Sequence, residues 1–84
     1  MYYFYVLRNK DNVNEYYSGS TKDLKRRLFE HNIDQTAATQ GRQWDLVYYE
    51  AYQNERVARE REQKIKKNGR MRTLLMRRIK SQFE

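Results

Sequence analysis

Tyr2-Tyr3-Phe4-Tyr5-Val6-Leu7 is an unbroken aromatic and β-branched run, too short for a helix of ordinary length. It reads as a strand buried on both faces, and therefore as the central strand of a sheet. The turn formers Asn9-Lys10-Asp11-Asn12 follow it, and Glu15 to Ser20 resumes strand character with Tyr16 and Tyr17. So short a connection predicts an antiparallel hairpin. Gly19, inside the second run, marks a bulge or a close approach by another backbone or a ligand. Leu46-Val47-Tyr48-Tyr49-Glu50-Ala51 supplies a third strand.

Helices fill the intervals. Thr21 is placed to cap a first helix by accepting from a first-turn N–H, with Asp23 near the positive end of its dipole, and this helix runs to about His31. Residues 33 to 45 are polar, rich in Thr and Gln and without periodicity, and read as a long loop. Asn54 caps a second helix through about Lys67, which Asn68-Gly69 is expected to end in a left-handed turn. Met71, Leu74, Leu75 and Ile79 form one stripe of a third helix, which carries five Lys or Arg between Arg70 and Lys80. The order is ββαβαα. This predicts an α+β fold, a three-stranded antiparallel sheet flanked by three helices, with residues 1–84 as one domain.

Composition removes several chemistries. The 84 residues contain no Cys and a single His, which excludes a disulfide framework, a thiolate nucleophile and a multi-His zinc site. No stretch approaches the roughly 20 apolar residues needed to span a bilayer. The opening MYYFYVL has neither a basic leader nor a small-residue cleavage site, so the cytoplasm is the expected address. Eighteen Lys or Arg against 11 Asp or Glu leave a formal charge of +7. The commonest reason for such a field on so small a body is a polyanionic partner.

Candidate chemistry follows from the helical wheels. On the first helix, taking Leu24 as origin, Leu28 falls near about 40°, His31 near about −20° and Arg27 near about −60°. Arg27 and His31 therefore flank the stripe that must face the sheet, whereas Lys22, Lys25, Arg26 and Glu30 point away. A cation aimed at a sheet edge needs an anion, either internal or bound. For Arg27 the internal reading is a pair with a carboxylate such as Glu50. On the second helix Val57, Ala58 and Ile65 make the buried stripe, and Glu62 lies about 40° beyond Ala58 at its border. The plain reading of Glu62 is a surface pair with Lys66 at i,i+4. Tyr3 and Tyr5 share one face of the first strand, as Tyr17 and Gly19 share one of the second.

Together these segments resemble the GIY-YIG nuclease domain, and in particular its small stand-alone bacterial members. Tyr3-Phe4-Tyr5-Val6-Leu7 resembles the first motif strand, and Tyr17-Ser18-Gly19 stands where the second motif would be, followed by Ser20-Thr21. Asp23-Leu24-Lys25-Arg26-Arg27-Leu28 with Glu30-His31-Asn32 is similar to the family's arginine helix, and Leu46 to Ala51 to its third strand. Ala58, Arg61, Glu62, Ile65 and Lys66, then Gly69-Arg70, resemble the segment that holds the family's acidic residue. The first motif lacks its glycine and isoleucine, at Tyr3 and Phe4, and the second has Ser18 in the middle. The proline often found before the third strand is absent around Trp44-Asp45.

The resemblance implies phosphodiester hydrolysis with Mg²⁺ or Mn²⁺. It implies Glu62 as the metal ligand, Arg27 as the grip on the scissile phosphate, and Tyr5 or Tyr17 as the base with the other positioning the water. His31 would hydrogen-bond or relay a proton there. One carboxylate is enough for a Mg²⁺ that keeps its waters and binds substrate oxygens. Lys22, Lys25 and Arg26, with Arg70, Arg72, Arg77, Arg78 and Lys80, are the candidates for phosphate contacts. With no base-reading module in the chain, the expected substrate is DNA chosen by shape (branched, nicked or flapped), or through a partner protein. The alternative is a catalytically weak nucleic-acid-binding module of the same fold.

Overall fold

Strand β1 (Tyr2–Asn9) occupies the middle of the sheet, where its Phe4, Tyr5, Val6 and Leu7 are each no more than 2% exposed. The continuous apolar run required that position. In this computed structural model, which describes residues 1–33 and 39–84, β1 pairs antiparallel with β2 (Tyr16–Thr21) on one side and with β3 (Trp44–Tyr52) on the other. The α-helices are α1 (Leu24–Asn32), α2 (Glu55–Lys67) and α3 (Gly69–Lys80), and a short 3-10 turn, Ser81–Phe83, follows. This is the expected α+β, ββαβαα architecture. Among the described residues no helix is long and apolar enough to cross a membrane.

Alternation along β1 divides the interior into two cores. Phe4 and Val6 meet Ile65 of α2 with Leu75 and Ile79 of α3 on one face. Tyr5 and Leu7 meet Trp44, Tyr17 and the Leu24 and Leu28 side chains of α1 on the other. Full burial of side chains of this size contributes about 1.5–3 kcal/mol each, against about 0.2–0.5 kcal/mol for an exposed i,i+4 ion pair. Helix α2 is therefore seated by Ala58 and Ile65 rather than by its Arg56–Glu60 and Arg59–Glu55 pairs.

Several local expectations are corrected. The N-cap of α1 is Asp23, whose side chain accepts from Arg26 N at 3.0 Å, while Thr21 ends β2 and its hydroxyl accepts from Asp23 N. Asn68 is extended, with φ −110°, so there is no left-handed stop. It closes α2 and at once caps α3 through its side chain on Met71 N, leaving Gly69 as the first helical residue. Leu74 is 52% exposed, and Met76, not expected on the buried stripe, packs against the core. The bulge falls on β3 rather than at Gly19, since Val6 faces Tyr48 while Leu7 faces Leu46. Strand β3 begins at Trp44, earlier than expected, because Asn32 clamps both backbone groups of that residue. Part of the loop expected over 33–45 lies outside the described residues.

The internal anion expected for Arg27 serves a different residue. Glu50 accepts from Arg61 Nε at 2.9 Å and Nη2 at 3.1 Å, from the Tyr48 hydroxyl at 2.6 Å and from the Tyr52 hydroxyl. This fork-to-fork pair ties α2 to β3 beside the position that carries Glu62.

Candidate active site

Tyr5 projects from β1 across its neighbour β2. Gly19 stands directly opposite it in the register. A Cβ added at Gly19 would lie 2.5 Å from the Tyr5 hydroxyl and 2.8 Å from Cζ, so only a glycine lets the phenol cross. What approaches Gly19 is the Tyr5 side chain, and not the backbone or ligand that was expected.

The hydroxyl of Tyr5 is 2.9 Å from His31 Nε2, and His31 Nδ1 is 2.7 Å from Thr39 Oγ1. All three groups are buried; His31 and Thr39 have no exposed surface. Burial, and then the nearby Arg27 charge, hold the imidazole below its ordinary pKa, so at neutral pH the ring is uncharged, with one donor and one acceptor nitrogen. Tyr17 packs on the same ring, with centroids 5.0 Å apart. The Arg27 guanidinium lies against the Tyr5 hydroxyl and donates from Nη1 to Glu30 Oε1 at 3.3 Å. Burial pushes the Tyr5 phenol up to about 12, and the Arg27 charge only partly offsets it. Desolvation thus outweighs the pull of the neighbouring arginine toward phenolate.

Glu62 arrives from the opposite side of the sheet. Its Oε1 accepts from the Ser20 hydroxyl at 2.7 Å and its Oε2 from Lys66 Nζ at 2.6 Å. The i,i+4 pair is present, yet Glu62 also reaches the edge strand, close enough for its charge to act on Tyr5. Lys66 Nζ stands 6.0 Å from the centroid of the Tyr17 ring. Tyr5, Tyr17, Arg27, His31 and Glu62 thus gather about the Gly19–Ser20 stretch of β2, with Tyr17, Arg27 and Glu62 partly exposed and His31 behind them. A shallow concavity beside them is lined by Ser20, Lys22, Arg26, Arg27 and Glu30.

Three participants were not expected. Ser20 and Thr39 hold Glu62 and His31, and their only sequence signals were adjacency to Gly19 and a polar stretch without periodicity. Glu30 does not point away: it is bound to both Arg26 and Arg27 because i,i+3 and i,i+4 neighbours share a helix face. Lys25, Arg70 and Arg77 are exposed, with no ion-pair partner among the described residues. Arg78 lines a groove with Arg61, Met71 and Leu74, away from the tyrosines of β2.

The GIY-YIG catalytic domain matches residues 1–74. The chain belongs to the GIY-YIG family. It is 42% identical over 69 residues to UPF0213 protein CPE1444 of Clostridium perfringens, an alignment covering 80% of this chain and 72% of that protein. It is 37% identical over 73 residues to the UPF0213 protein in the ldhD 5' region of Pediococcus acidilactici, over 82% and 72% of the two chains. No solved structure gives a significant match. This GIY-YIG domain is accordingly one of a nuclease family, with DNA as the suggested class of substrate.

The pKa shifts of Glu50 and His31 have a common sign. Burial opposes the Glu50 charge, but Arg61, Tyr48 and Tyr52 together hold its carboxyl below the usual range. His31 is depressed as well. Both groups bind fewer protons folded than unfolded, so each contributes stability that is present above its unfolded pKa and lost as pH falls. Thermal melts should weaken first below about pH 6.5, where the unfolded imidazole charges, and then more steeply below about 4.3, where unfolded carboxylates protonate. Glu50→Gln should remove much of the lower limb and leave the upper one.

Proposed function

We propose that this protein is a divalent-metal-dependent endonuclease that hydrolyses DNA phosphodiester bonds and selects its substrate by shape rather than by sequence. The observation that carries the reading is the meeting at one stretch of β2 of a guanidinium and a Tyr–His pair from one face with a carboxylate from the other.

Among the described residues no three His, Cys, Asp or Glu form a metal-binding group. Glu62 with the Ser20 hydroxyl is nonetheless a hard oxygen set. It suits Mg²⁺ or Mn²⁺, which ask for one or two carboxylates and take the remaining positions from water and substrate. Glu62 would hold the ion, after Lys66 and Ser20 release its oxygens. Bound there, the ion would supply Lewis acidity to the phosphate and to the leaving oxygen.

The protein's own groups divide the remaining work. Arg27, freed from Glu30, presents a planar fork to two phosphate oxygens and opposes the charge that grows on them. When Nδ1–H of His31 donates to Thr39, Nε2 is left as acceptor for the Tyr5 proton. Tyr5 can then take a proton from the attacking water as its own passes to His31, which avoids a free phenolate in a buried site. Tyr17, partly exposed on the same ring, positions the water. Lys22, Lys25 and Arg26 extend the positive surface beside Arg27 and would give salt-sensitive affinity.

A second reading, a nucleic-acid-binding module of low turnover, draws on two features: both oxygens of Glu62 are engaged, and Tyr5 is pushed up to about 12. A cleavage panel separates them. Branched, nicked, flapped and single-stranded DNA and RNA are incubated with Mg²⁺, with Mn²⁺ and with chelator. Cleavage of a shaped DNA that disappears in chelator, and falls at least about 100-fold in Arg27→Ala, is expected from the loss of one charge-stabilising donor. Equal background from wild type and variant overturns the nuclease reading, and metal-independent binding without cleavage selects the module.

A further inference from the structure

Helix α3 carries positive charge on more than one side. From Arg72 as origin, Met76 and Lys80 fall at about 40° and 80°, Arg77 and Arg70 at about 140–160°, and Arg78 at about 240°. The core contacts of Leu75 and Ile79 lie between the first group and Arg78, so the two groups border opposite edges of the buried stripe. Contacts bear this out. Arg72 Nη1 donates to Lys66 O at 3.0 Å, and Lys80 Nζ stands 5.9 Å from the centroid of the Tyr16 ring. Arg72, Met76, Arg77, Lys80 and Glu84 line one shallow groove. Arg78 instead borders the side of Arg61 and β3.

The Arg72–Lys80 edge leads back to the reaction centre. Lys66, which Arg72 touches, binds Glu62 and stands over Tyr17, and Tyr16 and Tyr17 begin the edge strand whose other end carries Ser20 and Thr21. Beyond Thr21 come Lys22, Arg26 and Arg27. The outer face of α2 is charged but internally neutralised, Arg56 by Glu60 and Arg59 by Glu55. Arg72 and Lys80 have no carboxylate within ion-pair distance among the described residues.

We propose that one DNA strand lies along the outer edge of β2, its backbone entering at Lys22 and Arg26, crossing the Arg27–Glu62 centre and leaving over Arg72 and Lys80, so that Arg70 and Arg78 stand off its path. This rests on the nuclease reading and gives it a direction. Strand β2 rises about 3.3 Å per residue, so Tyr16 to Thr21 spans about 17 Å. At 3.4 Å per phosphate of one duplex strand, that matches about five nucleotides. Isolated charges scattered around a helix do not follow a backbone, whereas a row beside an edge strand does.

The test compares two double variants that remove equal charge, Arg72→Ala/Lys80→Ala and Arg70→Ala/Arg78→Ala. Anisotropy of a short fluorescein-labelled duplex with a central nick is titrated in chelator over a range of salt, and circular dichroism melts check folding. The first pair should weaken binding by about tenfold or more and lower the logarithmic salt slope by about two; the second should change the slope by less than about half of that. Equal losses, a larger loss in the second pair, or no binding by wild type overturns the path. Cleavage of the same duplex by wild type with Mg²⁺ is scored separately. Asymmetric binding without cleavage removes the nuclease reading and keeps the surface, and cleavage with symmetric binding does the reverse.

Discussion

Glu62→Gln should lower DNA cleavage by at least about 100-fold while shifting folding stability by less than about 1 kcal/mol. The substitution keeps the shape of the side chain and an oxygen able to accept from Ser20. It removes the negative charge that would hold a divalent ion, and among the described residues no group of three His, Cys, Asp or Glu stands ready to hold the ion in its place. The loss of one such electrostatic interaction in a reaction centre is worth about 10²–10³ in rate. The stability cost is small because the contact given up is an i,i+4 pair whose lysine is 45% exposed. Single-turnover cleavage and thermal melts measured on the same preparation provide the check. If the rate survives, the metal is held elsewhere; if stability collapses, Glu62 is a structural anchor.

Gly19→Ala is expected to damage both stability and activity. The new methyl would sit 2.5 Å from the Tyr5 hydroxyl, and Tyr5 is a rigid ring only 2% exposed, so it cannot swing into solvent. Either the ring tilts, breaking its 2.9 Å contact with His31, or β2 moves from β1. Overpacking of this kind costs roughly 1–3 kcal/mol. A displacement of about 1 Å at a reacting group can cost on the order of 10² in rate. Tyr5→Phe separates the two effects: it removes the hydroxyl but leaves the strands unforced, so it should lose activity with a smaller loss of stability. Melting near the wild-type temperature for Gly19→Ala would show that the crossing of Tyr5 over β2 is not tight.

The strand order was readable because a run such as Tyr2 to Leu7 has no polar face to offer water and must lie inside. Helix faces were readable at Ala58, Ile65, Leu75 and Ile79 because burial selects one arc. Leu74 failed that test: it lies about 100° from Leu75 on the helix and is left 52% exposed, while Met71 and Met76 on the two flanks of the Leu75–Ile79 stripe pack against the core. Arg27 and Glu62 could be marked as border residues. Of their partners only Lys66 was readable, from its i,i+4 spacing to Glu62; Glu30, Ser20 and Glu50 were all within plausible reach of some cation or carboxylate, and only the packing of α2 against β3 gave Glu50 to Arg61 and left Arg27 at the site.

What the amino-acid order determined by itself was periodicity, and with it the three strands, the three helices and the arcs they bury, because these depend on neighbours a few residues apart. What the tertiary structure decided was which distant groups meet: the Tyr5 phenol over Gly19, Thr39 behind His31, Ser20 against Glu62. Those contacts join residues as many as 42 positions apart. They depend on strand register and on sub-ångström clearances, and no local pattern encodes either.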